Sequence, residues 1–340
     1  MIEVDGSYGE GGGQLLRTAV ALSAMTGTAL RLANVRAKRP RPGLAAQHLA
    51  AVRALAGLCD ARCEGLALRS TALGFEPRAR AAGGEVRVDV GTAGSVTLVL
   101  QALLPVLLGA ARASRVVVTG GTDVRQAPTW RYFCTVLLPL LERMGLRVRA
   151  SIARHGYYPR GGGEVSVDIE PGAPSALMLP PRAASWRVSG EAHVAGLPAA
   201  IAERMRAAAA AALGRPGDVE VRALGLGEAI GAGGAITLVA GSDAGLLGAS
   251  RVAERGVRAE ALGEAVGREL AADLASGATL DVHAADQALV YLALAPGRSG
   301  FSARALSSHA RTAMWLIPKF LPARFAVEEA DGLARVSVER

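Results

Sequence analysis

The chain has 340 residues, enough for about two to three domain-sized units with large buried cores. It is 51% hydrophobic, but charged residues interrupt every long apolar stretch, which excludes a membrane-spanning helix of about 20 residues. A formal charge of +8 suits a polyanionic partner such as nucleic acid, whereas an aromatic content of 4% argues against an extended base-stacking platform.

The first residues form an acidic, strand-like segment that lacks the basic start and the apolar core of a signal peptide. The three cysteines match neither a zinc-binding spacing nor a disulfide framework. We therefore expect a cytoplasmic enzyme that has no membrane partner.

The first predicted unit has the order β-α-β-α-β-β, as judged from apolar periodicity and turn residues. A glycine-rich loop follows its first strand, and a basic loop follows its second strand. The predicted elements are strand 2–4, helix 15–26, strand 29–35, helix 43–58 and a hairpin of strands 62–68 and 71–76.

The glycine-rich loop, residues 6–14, carries Glu10 in its middle and leads directly into the first helix. Glycines let the backbone approach a ligand closely, and the free N–H groups at the start of a helix favour an anion, most often a phosphate. A carboxylate beside a phosphate makes sense if a divalent cation bridges the two. Arg17, one turn into the helix, can face the same place. The alternative is a plain tight turn that caps the helix.

The basic loop crowds cations just before the helix that is predicted to start near Gly43. These cations are Arg36, Lys38, Arg39 and Arg41. Positive charge at a helix N-terminus is unfavourable unless an anion neutralises it, so a phosphate clamp is favoured over a solvated charge run. Gln47, a turn into the helix, can reach the same anion, whereas His48 is predicted to be a packing residue.

A second unit repeats the order of the first, and a third unit is split. The second unit consists of strand 86–90, loop 91–95, helix 96–108, strand 115–119, helix 129–144 and strands 148–154 and 164–169. The clear part of the third unit consists of helix 286–295, strand 300–305, helix 309–321 and a hairpin of strands 325–328 and 333–338.

A separate set of elements interrupts the third unit. It consists of strand 186–194, helix 197–213, strands 219–224 and 235–240, and helix 259–275. The pattern predicts an α+β fold in which three repeated β-α-β-α-β-β units form a large domain, residues 1–180 and 277–340. Residues 181–276 are predicted to form a smaller α/β insert domain.

The loop before helix 309–321 ends in Ser307, Ser308 and His309. The serines are typical helix caps and place His309 in the first helical turn. A helix N-terminus disfavours imidazolium, so His309 is expected to be neutral and available as a nucleophile or general base. A structural histidine is the alternative. His155 and His193 are predicted only to pack.

Several motifs occur together along the chain. They are Gly9-Glu10-Gly11-Gly12-Gly13-Gln14 with Arg17; Arg36, Arg39, Pro42-Gly43-Leu44 and Gln47-His48; Gly120-Gly121-Thr122-Asp123; Arg154-His155-Gly156-Tyr157-Tyr158-Pro159-Arg160-Gly161-Gly162-Gly163; and Ser307-Ser308-His309. Together they resemble the RNA 3'-terminal phosphate cyclase family over essentially the full length. That resemblance implies three repeated units and a smaller inserted domain.

The resemblance also implies an ATP-dependent cyclisation of an RNA with a 3'-phosphate end, a ligase reaction with nucleotidyl-transfer chemistry. His309 would attack the α-phosphate of ATP to form a histidine-AMP, and AMP would then pass to the RNA before a 2',3'-cyclic phosphate forms. Arg17, Arg36 and Arg39 would neutralise phosphates, and Glu10 would hold Mg²⁺ or Mn²⁺.

By the same resemblance, the residues lining the nucleotide site are Gln101, Pro128, His283, Ala284, Ala285, Asp286 and Gln287. A histidine at position 283 stands where the family often has a tyrosine against adenine. Two other functions are alternatives. A cyclase-like ribosome-assembly scaffold would lack the nucleophile, and an enolpyruvyl transferase would leave the serine-histidine loop unexplained.

Overall fold

The computed structural model describes residues 1–180 and 185–340, in which helices and several sheets form a mixed α+β structure. The α+β class predicted from the sequence is confirmed at this level. The predicted domain boundary at residue 181 lies outside the described residues. No helix in the described ranges combines the length and the apolar character needed to cross a membrane.

The first sheet is built by residues near the N-terminus. Its elements are β1 (Ile2–Asp5), α1 (Gly13–Thr26), β2 (Leu30–Ala33), α2 (Ala46–Leu58), β3 (Arg62–Glu64) and β4 (Leu73–Glu76). The strand order is β1-β2-β4-β3, with β1 and β2 parallel and the other pairs antiparallel.

Helix α2 begins at Ala46, not near Gly43 as predicted. Gly43 has a φ of 80°, in the left-handed region that an α-helix excludes. A side chain at this position would also overlap the carbonyl group of Arg69. The basic loop is therefore longer than the sequence pattern suggested, and Gln47 and His48 lie in the first turn of α2.

The second sheet follows in the chain. Its elements are β5 (Gly84–Asp89), α3 (Val96–Leu108), β6 (Ser114–Gly120), α4 (Trp130–Tyr132), a π-helical turn (Phe133–Leu137), α5 (Leu138–Arg143), β7 (Val148–Gly156) and β8 (Gly163–Ile169). β5 and β6 are parallel, and β8 pairs antiparallel with both β6 and β7. The helix predicted at residues 96–108 is confirmed. Apolar residues cover α3 on almost every side, so nearly all of it is buried.

A third sheet and two helices share a separate hydrophobic core. The elements of this part are β9 (Arg187–Ala195), α6 (Ala200–Leu213), β10 (Asp218–Leu224), β11 (Ala229–Ile230), β12 (Gly233–Gly241), β13 (Leu246–Val252) and α7 (Ala259–Ser276). The strand order is β10-β9-β12-β13, while β11 instead pairs with β7 of the second sheet. The sequence reading missed β11 and β13.

The last elements complete a three-stranded sheet. They are α8 (Val282–Leu294), β14 (Arg298–Ala303), α9 (Ser308–Leu316), a 3₁₀ turn (Ile317–Lys319), β15 (Arg324–Ala330) and β16 (Leu333–Glu339). The strand order is β14-β16-β15, and Met178 forms a parallel bridge to Gly300 of β14.

Helix packing determines where the loops meet. Helices α1, α2 and α3 pack on one another, and α9 packs on both α1 and α8. These helices share the largest hydrophobic core of the described chain with the first, second and last sheets. As a result, the N-terminal ends of α1 and α9 lie side by side, and the loops that precede them face a common cleft.

Candidate active site

A cleft of about 690 Å³ opens where the glycine-rich loop and the basic loop face α3, α8 and α9. Most of the side chains that the sequence predicts to be functional line this cleft. Those that line it are Glu10, Arg17, Arg36, Arg39, Gln47, Gln101, Pro128, His283, Asp286, Gln287 and His309. Residues separated by up to about 300 positions in the sequence thus share one cavity.

Ala284 and Ala285 depart from this pattern. Both side chains are buried in the hydrophobic core and do not line the cleft. They belong to the first turn of α8, where the N–H of Ala284 donates to Asp281 Oδ1. The helix turns both side chains towards the core, and the role of these two residues in a nucleotide site stays a prediction.

Helix α1 begins without a side-chain cap. Gly12 is its N-cap residue, and no side chain in residues 1–180 or 185–340 accepts a capping hydrogen bond from the first turn. Gly9 and Gly11 have φ values of 60° and 59°, a conformation that glycine adopts without the steric cost other residues incur. The N–H groups at this end of α1 are thus free to bind an anion in the cleft.

His309 lies in the first turn of α9, as predicted, and Ser307 Oγ caps that helix by accepting from the N–H of Ala310 at 2.9 Å. His309 Nδ1 lies 3.0 Å from Gln14 Oε1 and 3.2 Å from Glu10 Oε1. Both oxygens are acceptors, so they favour the tautomer in which Nδ1 carries the proton. Nε2 then keeps its lone pair for chemistry.

Electrostatics also keep His309 neutral. Burial lowers the pKa of His309 below its ordinary value, Glu10 opposes this change, and Arg17 and Arg39 reinforce it. The side chain is still 34% exposed, so a substrate in the cleft can reach it. A neutral, oriented and accessible imidazole is the form required of a nucleophile.

Glu10 links the glycine-rich loop to the basic loop and to α9. Its Oε1 accepts from Arg39 Nη2 at 2.7 Å, and its Oε2 lies 3.4 Å from Ser308 Oγ. Lys38 strengthens the same junction, because its Nζ donates to the carbonyl of Gly9 at 2.7 Å. The two loops therefore form one continuous wall of the cleft.

Arg17 is buried at the base of the cleft and faces His48, with 3.5 Å between Arg17 Nη1 and His48 Nε2. Burial lowers the pKa of Arg17 to about 10, so the guanidinium remains charged at neutral pH. Burial, together with Arg17, lowers the pKa of His48 to about 2, so His48 is neutral. His48 is buried as predicted, but it also lines the cleft and contacts Arg17.

Arg36 and Gln47 line the cleft but already have protein partners. Arg36 Nη1 donates to the carbonyls of Arg41 and Gly43 at 2.9 and 2.7 Å, which stabilises the basic loop. Gln47 Oε1 accepts from the N–H of Ser95 at 2.9 Å. Both contacts hold the loops in place, in addition to any contact with a ligand.

The opposite wall is built from α3 and α8. Gln101 Nε2 donates to Gln287 Oε1 at 2.6 Å, and the carbonyl of Pro128 accepts from Thr97 Oγ1 at 2.8 Å. Burial raises the pKa of Asp286 to about 7, although His283, Ser307 and Arg17 oppose this shift. The cleft thus has a cationic floor and a polar wall of amides.

The sequence reading missed several cleft residues. They are Gln14, the loop residues Val124, Arg125, Gln126 and Ala127, and Ser250, Arg251, Val252 and Glu254 around β13. Gln14 carried a usable signal, because it is the side chain that follows the last glycine of the loop at the start of α1. The β13 residues carried none, because that strand itself was not predicted.

An aromatic pair lies on the outer side of the glycine-rich loop. The rings of Tyr8 and Trp315 stack with centroids 3.8 Å apart and an interplanar angle of 11°. Lys319 Nζ lies 4.5 Å from the centroid of the Trp315 ring. The pair connects the loop to α9, two turns from His309.

Comparison with known proteins identifies the family to which the chain is similar. The family model for RNA 3'-terminal phosphate cyclase matches residues 8–327. An RNA 3'-terminal phosphate cyclase from Nitrosospira multiformis is 52% identical over 339 residues, covering 99% of this chain and 96% of the relative. Proteins of the same name from Pyrobaculum neutrophilum and Methanopyrus kandleri are 43% and 42% identical over 343 residues; the alignments cover 99% and 98% of this chain, and 98% and 96% of the relatives.

Proposed function

The chain belongs to the RNA 3'-terminal phosphate cyclase family, and we propose that this enzyme uses ATP to convert an RNA 3'-terminal phosphate into a 2',3'-cyclic phosphodiester. One observation carries the mechanism proposed for this chain. His309 lines a cleft that contains arginines, and the contacts of its ring with Gln14 and Glu10 are made by Nδ1, which leaves Nε2 without a partner among the described residues.

In the first step, His309 Nε2 attacks the α-phosphorus of ATP. A P–N bond forms, and the bond between the α-phosphorus and the oxygen that bridges it to the β-phosphorus breaks. Pyrophosphate leaves with the electron pair of the broken bond. Arg17 supplies positive charge at the base of the cleft, and Arg39 supplies it at the rim, so the negative charge of the transition state is stabilised. Arg36 acts mainly by holding the basic loop in position.

In the second step, an oxygen of the RNA 3'-phosphate attacks the phosphorus of the histidine-AMP, and the P–N bond breaks. In the third step, the neighbouring 2'-OH attacks the 3'-phosphorus, loses its proton and displaces AMP. The uncapped start of α1 is suited to one of these phosphates, because its N–H groups need an anionic partner.

Glu10 is the residue proposed to hold Mg²⁺ or Mn²⁺. Among the described residues its Oε2 has a single contact, 3.4 Å from Ser308 Oγ, and a single carboxylate combined with substrate phosphates is a usual way to bind Mg²⁺. When bound, the ion neutralises phosphate charge as a Lewis acid. Gln101, Pro128, His283, Asp286 and Gln287 would then surround the nucleoside of ATP.

The domain layout is part of the same proposal. Three repeated units, in residues 1–180 and 277–340, would form the large domain, and residues 181–276 would form the insert domain. The proposal is supported by sheet topology. In the second sheet, the order β5-β6-β8-β7 repeats the order β1-β2-β4-β3 of the first sheet. In the last sheet, the segment at Met178 takes the place of the first strand, because it bridges to β14, and the order then continues as β14-β16-β15.

The test uses ATP labelled separately at the α- and γ-phosphates, with a divalent metal and without RNA. We expect only the α-label to remain on the protein, at His309, in a bond that is labile to acid and stable to alkali. The variants His309→Ala and His309→Asn should lose the label while circular dichroism shows an unchanged fold. AMP on another residue, or cyclisation by His309→Ala at the wild-type rate, would contradict the mechanism.

The RNA end distinguishes the competing functions. RNA ending in a 3'-phosphate should give cyclic product, and the same RNA ending in a 3'-OH should give none. A ribosome-assembly scaffold or an enolpyruvyl transferase would give neither cyclic product nor protein-bound AMP.

A further inference from the structure

A second group of polar side chains is buried away from the residues proposed for cyclisation. Asp123 follows β6, His155 lies in β7, and His193 lies in β9 of the neighbouring sheet. They are 2%, 6% and 2% exposed, respectively. One donor atom from each of the three lies within 4.8 Å of the other two.

The distances within this group leave one atom unpaired. Asp123 Oδ2 lies 3.0 Å from His155 Nδ1 and 3.7 Å from His193 Nε2. His193 Nε2 is buried and has no hydrogen-bond partner among the described residues. A buried polar atom without a hydrogen-bond partner lowers the free energy of unfolding unless a bound water or ion contacts it.

The other ring nitrogen of His193 indicates that the missing partner of Nε2 is a cation. His193 Nδ1 lies 3.0 Å from Glu191 Oε1, and a carboxylate accepts, so this contact places a ring proton on Nδ1. Nε2 lies 3.7 Å from Asp123 Oδ2 and makes no hydrogen bond to any described residue, so its lone pair is left for a cation. Two electron-rich atoms that face each other in a dry site repel, and a cation placed beside both removes the repulsion.

The surroundings match the outer shell of a metal centre. Asp123 Oδ1 accepts from the N–H of Trp130 at 3.2 Å, and Asp123 Oδ2 accepts from Thr122 Oγ1 at 2.8 Å. Glu191, which orients His193, is itself approached by Arg131 and Arg222 at 3.8 Å. A histidine that donates its second N–H to a carboxylate is a recurrent arrangement around protein-bound metals.

We propose that Asp123, His155 and His193 bind a divalent transition-metal ion, with Zn²⁺ the best match. Two imidazole nitrogens and one carboxylate suit Zn²⁺, whereas Mg²⁺ and Ca²⁺ prefer oxygen ligands. Water would fill the remaining position. Tyr157, whose hydroxyl is buried and unpartnered in the described structure, packs its ring beside both histidines.

The proposed ion has a structural role. It would join β9 to β7 and to the loop that begins at Asp123, and so add a link between two sheets that the Thr129–Thr237 hydrogen bond also connects. The loop from Val124 to Thr129 lines the cleft, and Asp123 and Trp130 anchor its two ends to each other. Metal binding would therefore rigidify one wall of the cleft from behind.

The experiment measures metal content. The full chain, purified without chelators or metal-affinity resin, is incubated with Zn²⁺ alone, desalted and analysed by inductively coupled plasma mass spectrometry. We expect about one Zn²⁺ per chain, and at least a tenfold loss in His193→Gln and in Asp123→Asn. His283→Gln, which removes a histidine outside the cluster, is the control and should keep the metal.

Two further measurements keep the test decisive if those variants misfold. Glu191→Gln, which leaves all three ligands in place, should weaken Zn²⁺ binding by about 10- to 100-fold. Co²⁺ in place of Zn²⁺ should give visible absorption bands that Zn²⁺ abolishes. The proposal is overturned if the folded wild-type chain keeps no more Zn²⁺ or Co²⁺ than His193→Gln, or if nitrogen NMR of wild type shows protons on both ring nitrogens of His193, because a proton then occupies the place assigned to the metal.

Discussion

The loops that precede α1 and α3 start alike and end differently. In both, an aspartate at the end of the preceding strand accepts from the backbone two residues later: Asp5 Oδ1 from Ser7 at 2.9 Å, and Asp89 Oδ1 from Gly91 at 2.8 Å. The second loop then closes, because Ser95 Oγ accepts from the N–H of Leu98. The first loop stays open, because Gly12 offers no side chain.

The capped loop stabilises its helix, whereas the uncapped loop leaves backbone groups available for chemistry. A side-chain cap satisfies the start of a helix and stabilises it by about 1 kcal/mol. An uncapped start gives up that stabilisation and leaves N–H groups for a ligand. The open loop is also the one that carries Glu10 and contacts His309. Four predictions test whether the loop before α1 serves chemistry while the loop before α3 serves stability.

The largest effect is expected from Gly12→Ala. The φ of Gly12 is −101°, which alanine adopts readily, but its methyl group would collide with the carboxylate of Glu10 and approach Arg39. Displacing that pair should slow AMP labelling of the protein by about 100-fold, the usual cost of a misplacement near 1 Å. Unaltered labelling would mean that the Glu10–Arg39 arrangement is not needed.

Gly91→Ala is the matched change in the closed loop. Gly91 has a φ of 68°, and no atom of the described part of the chain lies within 4 Å of an added methyl group. We expect a loss of about 1–2 kcal/mol in the free energy of unfolding and a wild-type labelling rate. Chemical denaturation and the labelling assay measure the two quantities separately.

The second prediction concerns the partner of the open loop. Arg39→Ala should lose about 1.5–3 kcal/mol of charge-assisted binding to phosphate, which lowers turnover at subsaturating substrate by about 10- to 100-fold. The fold should survive, because the Arg39 side chain is 35% exposed. Arg41→Ala, in the same loop but outside the cleft, should leave turnover unchanged. Equal losses of turnover in both variants would mean that the basic loop acts only as a general cationic surface.

The third prediction compares two caps. Ser95→Ala should lower the free energy of unfolding by about 1 kcal/mol and leave labelling unaffected. Ser307→Ala should cost as much stability and also slow labelling, because Ser307 caps the helix that carries His309 and donates to Asp286 Oδ2 at 3.1 Å. If both variants label at the wild-type rate, the cap of α9 is structural only.

The smallest effect is a titration shift. Since burial lowers the pKa of His309, the ring should lose its proton below the ordinary value of about 6.5 and be neutral throughout neutral pH. Glu10 favours imidazolium, so Glu10→Gln should lower that pKa further. NMR titration of the ring measures both values. A higher pKa in Glu10→Gln would contradict the proposed contact.

Local signals in the sequence predicted much of the fold. Helix α3 was located within its observed bounds because apolar residues and Ser95 mark its start and Gly109 its end. The start of α2 was missed because the left-handed conformation of Gly43 depends on Arg69, a distant residue. Strand β13 was missed because its small and glycine residues give no alternating pattern and become a strand only by pairing with β12.

The site was predictable where one loop carries several unusual residues, as around Glu10 and His309. Contacts between loops were not predictable. Gln14 acts on a histidine 295 positions away, which only tertiary packing brings close. The sequence predicts only packing for His155 and His193 for the same reason, because they lie in different sheets and acquire a shared partner only after folding.

The stacked pair of Tyr8 and Trp315 gives the protein an intrinsic optical reporter. Indole emission depends on what touches the ring, and here the contacts are a tyrosine from the glycine-rich loop and the ammonium of Lys319. The chain has three tryptophans, so changing Trp130 and Trp186 to phenylalanine leaves Trp315 as the one indole, which can be excited without exciting tyrosine. Its emission would follow displacement of the loop in real time as nucleotide enters, without any attached dye.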